Sequence, residues 1–207
     1  MDIGSPTSVP ELLAAMDGGS RTKFLFFWSH HQPGAGCLSQ WAPVGFTVKG
    51  TDYPTAEHWM MARKADLFGD TAARARILAA GSPGAAKALG RSVRGFTERT
   101  WQEHRLDIVV RGCVHKFAQH PRLRDYLLGT GNRVLVEASP VDRIWGIGLA
   151  ADDEHAQDPA SWRGDNLLGF ALMRARAELT PSSGWRTARG AGEKRFRTWQ
   201  SRDFDKP

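Results

Sequence analysis

The chain has 207 residues, 41% hydrophobic and 24% charged, enough for one domain with its own core but for little beyond it. No run approaches the ~20 apolar residues of a membrane span, and no basic segment followed by an apolar one opens the chain, so the sequence reads as cytoplasmic with no membrane partner. The net charge of +6 is uneven: residues 183–207 carry +4 and the other 182 only +2, which argues against a dedicated nucleic-acid surface on the body and leaves a weak nucleic-acid contact to the basic tail.

Residues 1–22, rich in Gly, Ser and Pro around one apolar patch at 12–16, read as a flexible arm with at most one helical turn. Residues 23–28 and 44–49 are short aromatic and β-branched runs that predict two strands, and 50–54 form a turn. Thr55 caps a helix over 55–68, an Ala-rich helix covers 71–80, and Ser82-Pro83 opens a short one. The longest helix spans 97–119. Its apolar stripe is Trp101, Ile108, Gly112 or Cys113, and Phe117, with Arg99, Glu103, Arg105 and Lys116 pointing largely elsewhere. Pro121 begins a helix to about Gly129, residues 132–138 alternate as a third strand, and 150–164 form an acidic loop. Asp165 caps a last helix to about Leu179, and from 181 onward the basic composition reads as a disordered tail. The fold class is mainly α with a minor β component (α+β), in a single compact domain at 23–180. Cys37 and Cys113 form no CxxC or Cys/His spacing, so neither a disulfide scaffold nor a metal site is expected, and no cofactor.

The stretch from Asp52 to Lys64 is the most informative. Glu57, Met61, Lys64 and Phe68 fall on one helical face, placing a carboxylate and an ammonium roughly 10 Å apart along the axis. Glu at a helix start is favoured by the macrodipole, and Lys two turns on is commonly solvated. Even so, a carboxylate shielded by Trp59, Met60 and Met61 can serve as a general base or as an anionic partner for a developing cation. His58 reads as a structural hydrogen-bonder or a substrate contact. Trp101 is a core indole or a stacking face for a flat heterocycle. Asp142, before Trp145-Gly146-Ile147-Gly148, lies where glycine lets the backbone approach a ligand. The glycine-containing segments 129–133 and 164–169 match no phosphate-loop fingerprint, although the second leads into a helix N-terminus, where free amides can hold an anion.

Several separated motifs recur in a familiar order: Ser39-Gln-Trp-Ala-Pro43, Thr55-Ala-Glu-His58, Arg99-Thr-Trp-Gln-Glu103, Asp142-Arg-Ile-Trp-Gly-Ile-Gly148, and Asp165-Asn-Leu-Leu-Gly-Phe-Ala-Leu-Met173 with Arg176. Over about 24–179 the chain resembles the NADAR, or YbiA-like, family. That resemblance implies a small, mainly α-helical N-glycosidase that hydrolyses a ribosyl C–N bond, either freeing ADP-ribose from guanine bases or cleaving riboflavin-pathway N-ribosyl intermediates. The implied partner is an ADP-ribosylated nucleoside or nucleic acid, or a ribosylated pyrimidine metabolite; the alternative is a non-catalytic ADP-ribose or NAD sensor. The family's acid-base set falls on Glu57, Lys64 and Asp142. Trp101, His58, Trp41, Trp145, Gly146, Asn166, Gly169 and Arg176 become the substrate contacts, with the amides near Asn166 and the Arg176 guanidinium holding phosphate. The chain departs from the family pattern at Gln40-Trp41, where Asn-Phe is usual, at Trp59, where Tyr is commoner, and in a longer 149–163 segment. These changes bear on substrate choice.

Overall fold

The computed structural model describes residues 6–17 and 22–181. The basic tail predicted from 183 onward lies outside the described residues.

Two small sheets punctuate a helical body. Strand β1 (Phe24–Phe27) pairs in parallel with β4 (Val134–Glu137), Phe24 opposite Val134 and Phe27 opposite Glu137. In β4 Val134, Leu135 and Val136 are all buried, as suits a parallel strand, whereas in β1 only Phe27 is fully buried. Strands β2 (Phe46–Val48) and β3 (Thr51–Tyr53) form a hairpin. Its two-residue turn has Lys49 and Gly50 at positive φ, 49° and 76°, a pairing suited to the twist of a tight hairpin. The sequence predicts 50–54 only as a turn, because a three-residue strand such as β3 is too short for periodicity to reveal.

The helices are α1 (Val9–Asp17), α2 (Ala56–Leu67), α3 (Thr71–Leu78), α4 (Pro83–Gly90), α5 (Glu98–Gln119), α6 (Pro121–Gly129) and α7 (Leu167–Leu179). Start signals act where expected: the Thr55 and Ser82 hydroxyls accept the His58 and Ala85 amides, and Pro83 and Pro121 occupy first turns where their missing N–H costs nothing. Helix α5 packs against α2 and α7, the core running between them through Met60, Phe117 and Phe170. Close approach rests on two glycines. A Cβ on Gly112 would lie 2.5 Å from the Trp59 ring, which reaches across α5 to donate its indole N–H to Ile108 O at 2.8 Å. A Cβ on Gly169 would lie 2.0 Å from Leu135 O, so α7 meets β4 backbone to backbone.

Three expectations are corrected. Residues 9–17 are not a loose arm: α1 is a nine-residue helix that packs on the 3-10 turn at Pro159–Ser161, with Leu12 only 2% exposed. Asp165 does not cap α7; Asn166 occupies that position at φ 52°, and Asp165 instead faces Arg105 at 3.8 Å. Lys116 does not point away from the core. It is 1% exposed, and its ammonium donates to Cys37 O at 2.7 Å and Ser39 O at 3.0 Å. A lysine stem is long and apolar enough to cross a core when carbonyls wait at its end.

Candidate active site

The site is assembled where the start of α2, the end of β4, helix α4 and the 139–146 loop meet. Glu57 enters it from the first turn of α2. Its N–H donates to Gln40 O at 3.1 Å, which ties α2 to the segment after the 3-10 turn Ala35–Leu38. Its carboxyl is 2% exposed, and Oε1 has no hydrogen-bond partner. Burial pushes this carboxyl up to about 7, against the pull of Lys87, a hydrogen bond from Trp41 and, more weakly, Arg91, while Asp142 pushes it further up.

The Gln40-Trp41 segment is itself held by Lys116. Burial lowers the pKa of that ammonium, and the flanking thiols of Cys37 and Cys113 are pushed up to about 11 and 12, chiefly by burial, so they stay protonated and unreactive. Lys116→Met should leave two buried carbonyls unpaired while relieving a buried charge, a net loss of about 2–3 kcal/mol. A urea midpoint measures that loss. Turnover should fall about tenfold as Trp41 loses its registry with Glu57.

Asp142 lies beside Glu57. Its Oδ1 accepts the amides of Ile144 and Trp145 at 3.0 and 2.8 Å, and its Oδ2 stands 3.6 Å from Lys87 Nζ. The Lys87–Asp142 pair is partly exposed, whereas Glu57 is buried and Glu137, itself only partly buried, turns its Oε2 inward. Gly146 is there because the loop folds back on β4: a Cβ would lie 2.8 Å from Glu137 O and 3.0 Å from Asp142 O.

Glu137 and Lys87 are the members that sequence reasoning missed. Glu137 ends β4, with Oε2 buried and unpartnered, and burial, with Asp142 and Glu57 adding to it, pushes its carboxyl up to about 8 against Lys87. A carboxylate closing the buried run Val134-Leu-Val136 was the available signal. For Lys87 the signal was its being the only charge on α4, Pro-Gly-Ala-Ala-Lys-Ala-Leu-Gly.

Lys64 and Trp101 form a second group further along α2. The Lys64 ammonium sits 4.1 Å from the centre of the Phe96 ring and 5.5 Å from that of Trp101, half-buried, and burial lowers its pKa. Phe96 is exposed, whereas Trp101 is 8% exposed, so Phe96 offers more free ring surface than Trp101.

Four expected substrate contacts have structural jobs instead. His58 is buried between Thr55 Oγ1 (2.8 Å from Nδ1) and Ala80 O (2.9 Å from Nε2). Because a carbonyl can only accept, Nε2 carries the proton. The Asn166 side chain spans β4, accepting from Glu137 N and donating to Leu135 O, both at 3.0 Å. Gly169 is the α7–β4 crossing point. Arg176 donates to Thr130 Oγ1 at 2.7 Å and Arg133 O at 2.9 Å, roughly 15 Å along α7 from Asn166. Nor is the α7 N-terminus an anion cradle: the amides of Asp165, Asn166, Leu167 and Leu168 are already bonded to the carbonyls of Arg143, Gly146, Ile144 and Trp145. Trp41, 37% exposed, and the half-buried Trp145 remain at the site.

Comparison with known proteins agrees with this architecture. The NADAR domain model matches residues 26–180. An N-glycosidase of Acanthamoeba polyphaga mimivirus is 44% identical over 163 residues, 75% of this chain and 96% of that protein. A chloroplastic riboflavin biosynthesis protein, PYRR, of Zea mays is 37% identical over 156 residues, 70% of this chain and 23% of that longer protein. The NMR structure of the E. coli protein YbiA superposes with a TM-score of 0.63 at 30% identity, covering 77% of this chain and 86% of that one. With a family match running from β1 through α7 and a shared fold, the chain belongs to the NADAR family.

Proposed function

We propose that this protein cleaves the bond between an anomeric ribose carbon and a base nitrogen, with ADP-ribosylated guanine as its substrate. The chain is a hydrolase of the N-glycosidase class, the activity named for its mimiviral relative. The observation that carries the reading is Glu57, a buried carboxyl with an unsatisfied oxygen beside the Lys87–Asp142 pair. Breaking a ribosyl C–N bond builds positive charge on the sugar and negative charge on the departing base. Glu57 faces the first and activates water, Asp142 orients the ribose hydroxyls, and Trp41 and Trp145 give flat apolar surface to the base. Lys87 and Arg91, not Arg176 or the α7 amides, supply the two cations that a diphosphate needs.

Lys64 has two chemically distinct roles open to it. As an ammonium it pairs with phosphate; as a partly neutral amine it attacks the anomeric carbon, releasing the base and leaving an imine on the opened sugar that water then hydrolyses. Similarity to the maize riboflavin protein favours one second reading, cleavage of a ribosylated aminopyrimidine phosphate.

Mass spectrometry of reactions with ADP-ribosylated guanine, as nucleoside and within DNA, and with the ribosylaminopyrimidine phosphate separates the readings. Free ADP-ribose is the expected product. Ribose 5-phosphate would move the protein to the second reading, and bound ADP-ribose without turnover would make it a sensor. Borohydride added during turnover should fix sugar mass on Lys64 if the imine forms; unmodified Lys64 under active turnover leaves it the electrostatic role.

A further inference from the structure

We propose that Phe96 is a positioning residue for the reaction: with Trp101 it forms an aromatic cradle that holds the Lys64 ammonium in place of a carboxylate and leaves its N–H donors to the substrate. The inference rests on the reading of Lys64 as a residue that meets the sugar or its phosphate.

Lys64 lies in the last turn of α2, half-buried, and among the described residues its Nζ makes no hydrogen bond and no ion pair. Glu98 acts on it electrostatically but forms no ion pair with it, and spends Oε1 on the Gln102 amide at 2.9 Å. Two rings meet the ammonium instead, Phe96 with its centre 4.1 Å from Nζ and Trp101 with its centre 5.5 Å away. A ring face attracts a cation through its quadrupole without taking up N–H donors as a carboxylate oxygen does. Such a contact fixes where the charge sits and yields readily to an incoming phosphate or carbonyl. A half-buried ion pair would first have to be broken, leaving one charge uncompensated.

The fold places Phe96 without help from Lys64. Gly95 turns at φ 72°, and a Cβ there would lie 3.4 Å from Phe68 O, so the chain entering α5 runs against the end of α2. The turn sets the Phe96 ring edge-to-face on Phe68, with centroids 5.4 Å apart and planes at 63°. Trp101, buried in α5, supplies the other wall. Phe68 follows Lys64 by four residues on the same face of α2, so one helix carries both the cation and the ring that steadies its cradle. That face continues through Met61, which α4 crosses at Gly90, to Glu57. The cradle therefore fixes the second charged end of a surface that begins at the catalytic carboxyl.

NMR of Lys64 and a double-mutant cycle test the cradle. Phe96 is 38% exposed, so leucine fits there without repacking the core. In substrate-free protein with ¹³C-labelled lysine, the Lys64 ε-methylene signal, assigned by its loss in K64M, should lie upfield through ring currents. F96L should remove most of that displacement, and F96W should keep it. With ADP-ribosylated guanosine as substrate and free ADP-ribose as readout, F96L should lower kcat/KM about tenfold and F96W should return it to within about twofold of wild type. In a K64M background F96L should have no further effect. A side chain that merely supports the fold would slow K64M and wild type alike, and leucine would serve it as well as tryptophan. Either result, or a Lys64 signal that F96L does not move, would overturn the proposal while leaving the reading of Lys64 standing. Should K64M show no turnover to compare, the ring-current displacement and the tryptophan rescue still decide. K64M turning over like wild type, with the displacement present in wild type, would refute the reading of Lys64 and the inference with it.

Discussion

Glu57→Gln is expected to fold normally and to lose about three orders of magnitude in kcat, within the ~10²–10⁴ that a positioned acid-base group supplies. Gln keeps the shape and the contact with Trp41 but can neither take a proton nor face a cation with a charge. The same substitution should stabilise the protein at alkaline pH. Wild-type Glu57 ionises near 4.5 when unfolded and at about 7 when folded, so the folded state favours its protonated form. Wild-type stability contributed by this group is therefore full below about 4.5 and lost as pH rises through about 7. At pH 8 the Gln variant should exceed wild type by about 2–3 kcal/mol, and at pH 4 the two should be alike. Thermal melts at the two pH values, beside single-turnover kinetics, measure both halves. A variant that melts lower than wild type at pH 8 would show Glu57 to be a structural residue.

Gly169→Ala should be the most damaging small substitution in the chain. Its methyl group would lie 2.0 Å from Leu135 O and 2.5 Å from Asn166 Nδ2. Neither neighbour can retreat: Leu135 O belongs to the paired strand β4, and the Asn166 amide bridges Leu135 O and Glu137 N. Helix α7 must lift from β4. The expected loss is about 3 kcal/mol, or roughly 6–12 °C in Tm for a domain of this size. Because Glu137 and the loop bearing Asp142 hang from the same junction, activity should fall with stability in calorimetry-matched assays. An unchanged melting temperature would mean that the crossing is looser than these distances require.

Most helices were legible because their punctuation is local. Thr55, Ser82-Pro83 and Pro121 mark starts by chemistry that needs only the next three residues. Glu57 and Asp142 stand out in the sequence too, as polar groups set among apolar and glycine neighbours. What escaped depends on contacts distant in sequence. Lys116 looks like an ordinary exposed lysine until carbonyls 77 and 79 residues away are placed at its tip. The amides at 165–168 read as free until the carbonyls of 143–146 fold back on them. Arg176 carries the charge a phosphate would want, but Thr130 and Arg133 already occupy it. The alternation of 132–138 predicts Glu137 only as one face of a strand, and the burial of its Oε2 without a hydrogen-bond partner depends on elements distant in sequence.

The parallel pairing of β1 with β4 also dictates when the enzyme can first work. Phe24 and Val134 are partners separated by 110 residues, and no short loop can join parallel strands. On a ribosome the N-terminal half, with Glu57, Lys87 and Lys64, emerges well before Glu137 and Asp142 exist. A growing chain therefore carries Glu57 before the residues that pack around it exist, and the complete site assembles late, only once the second half has threaded its strand beside the first.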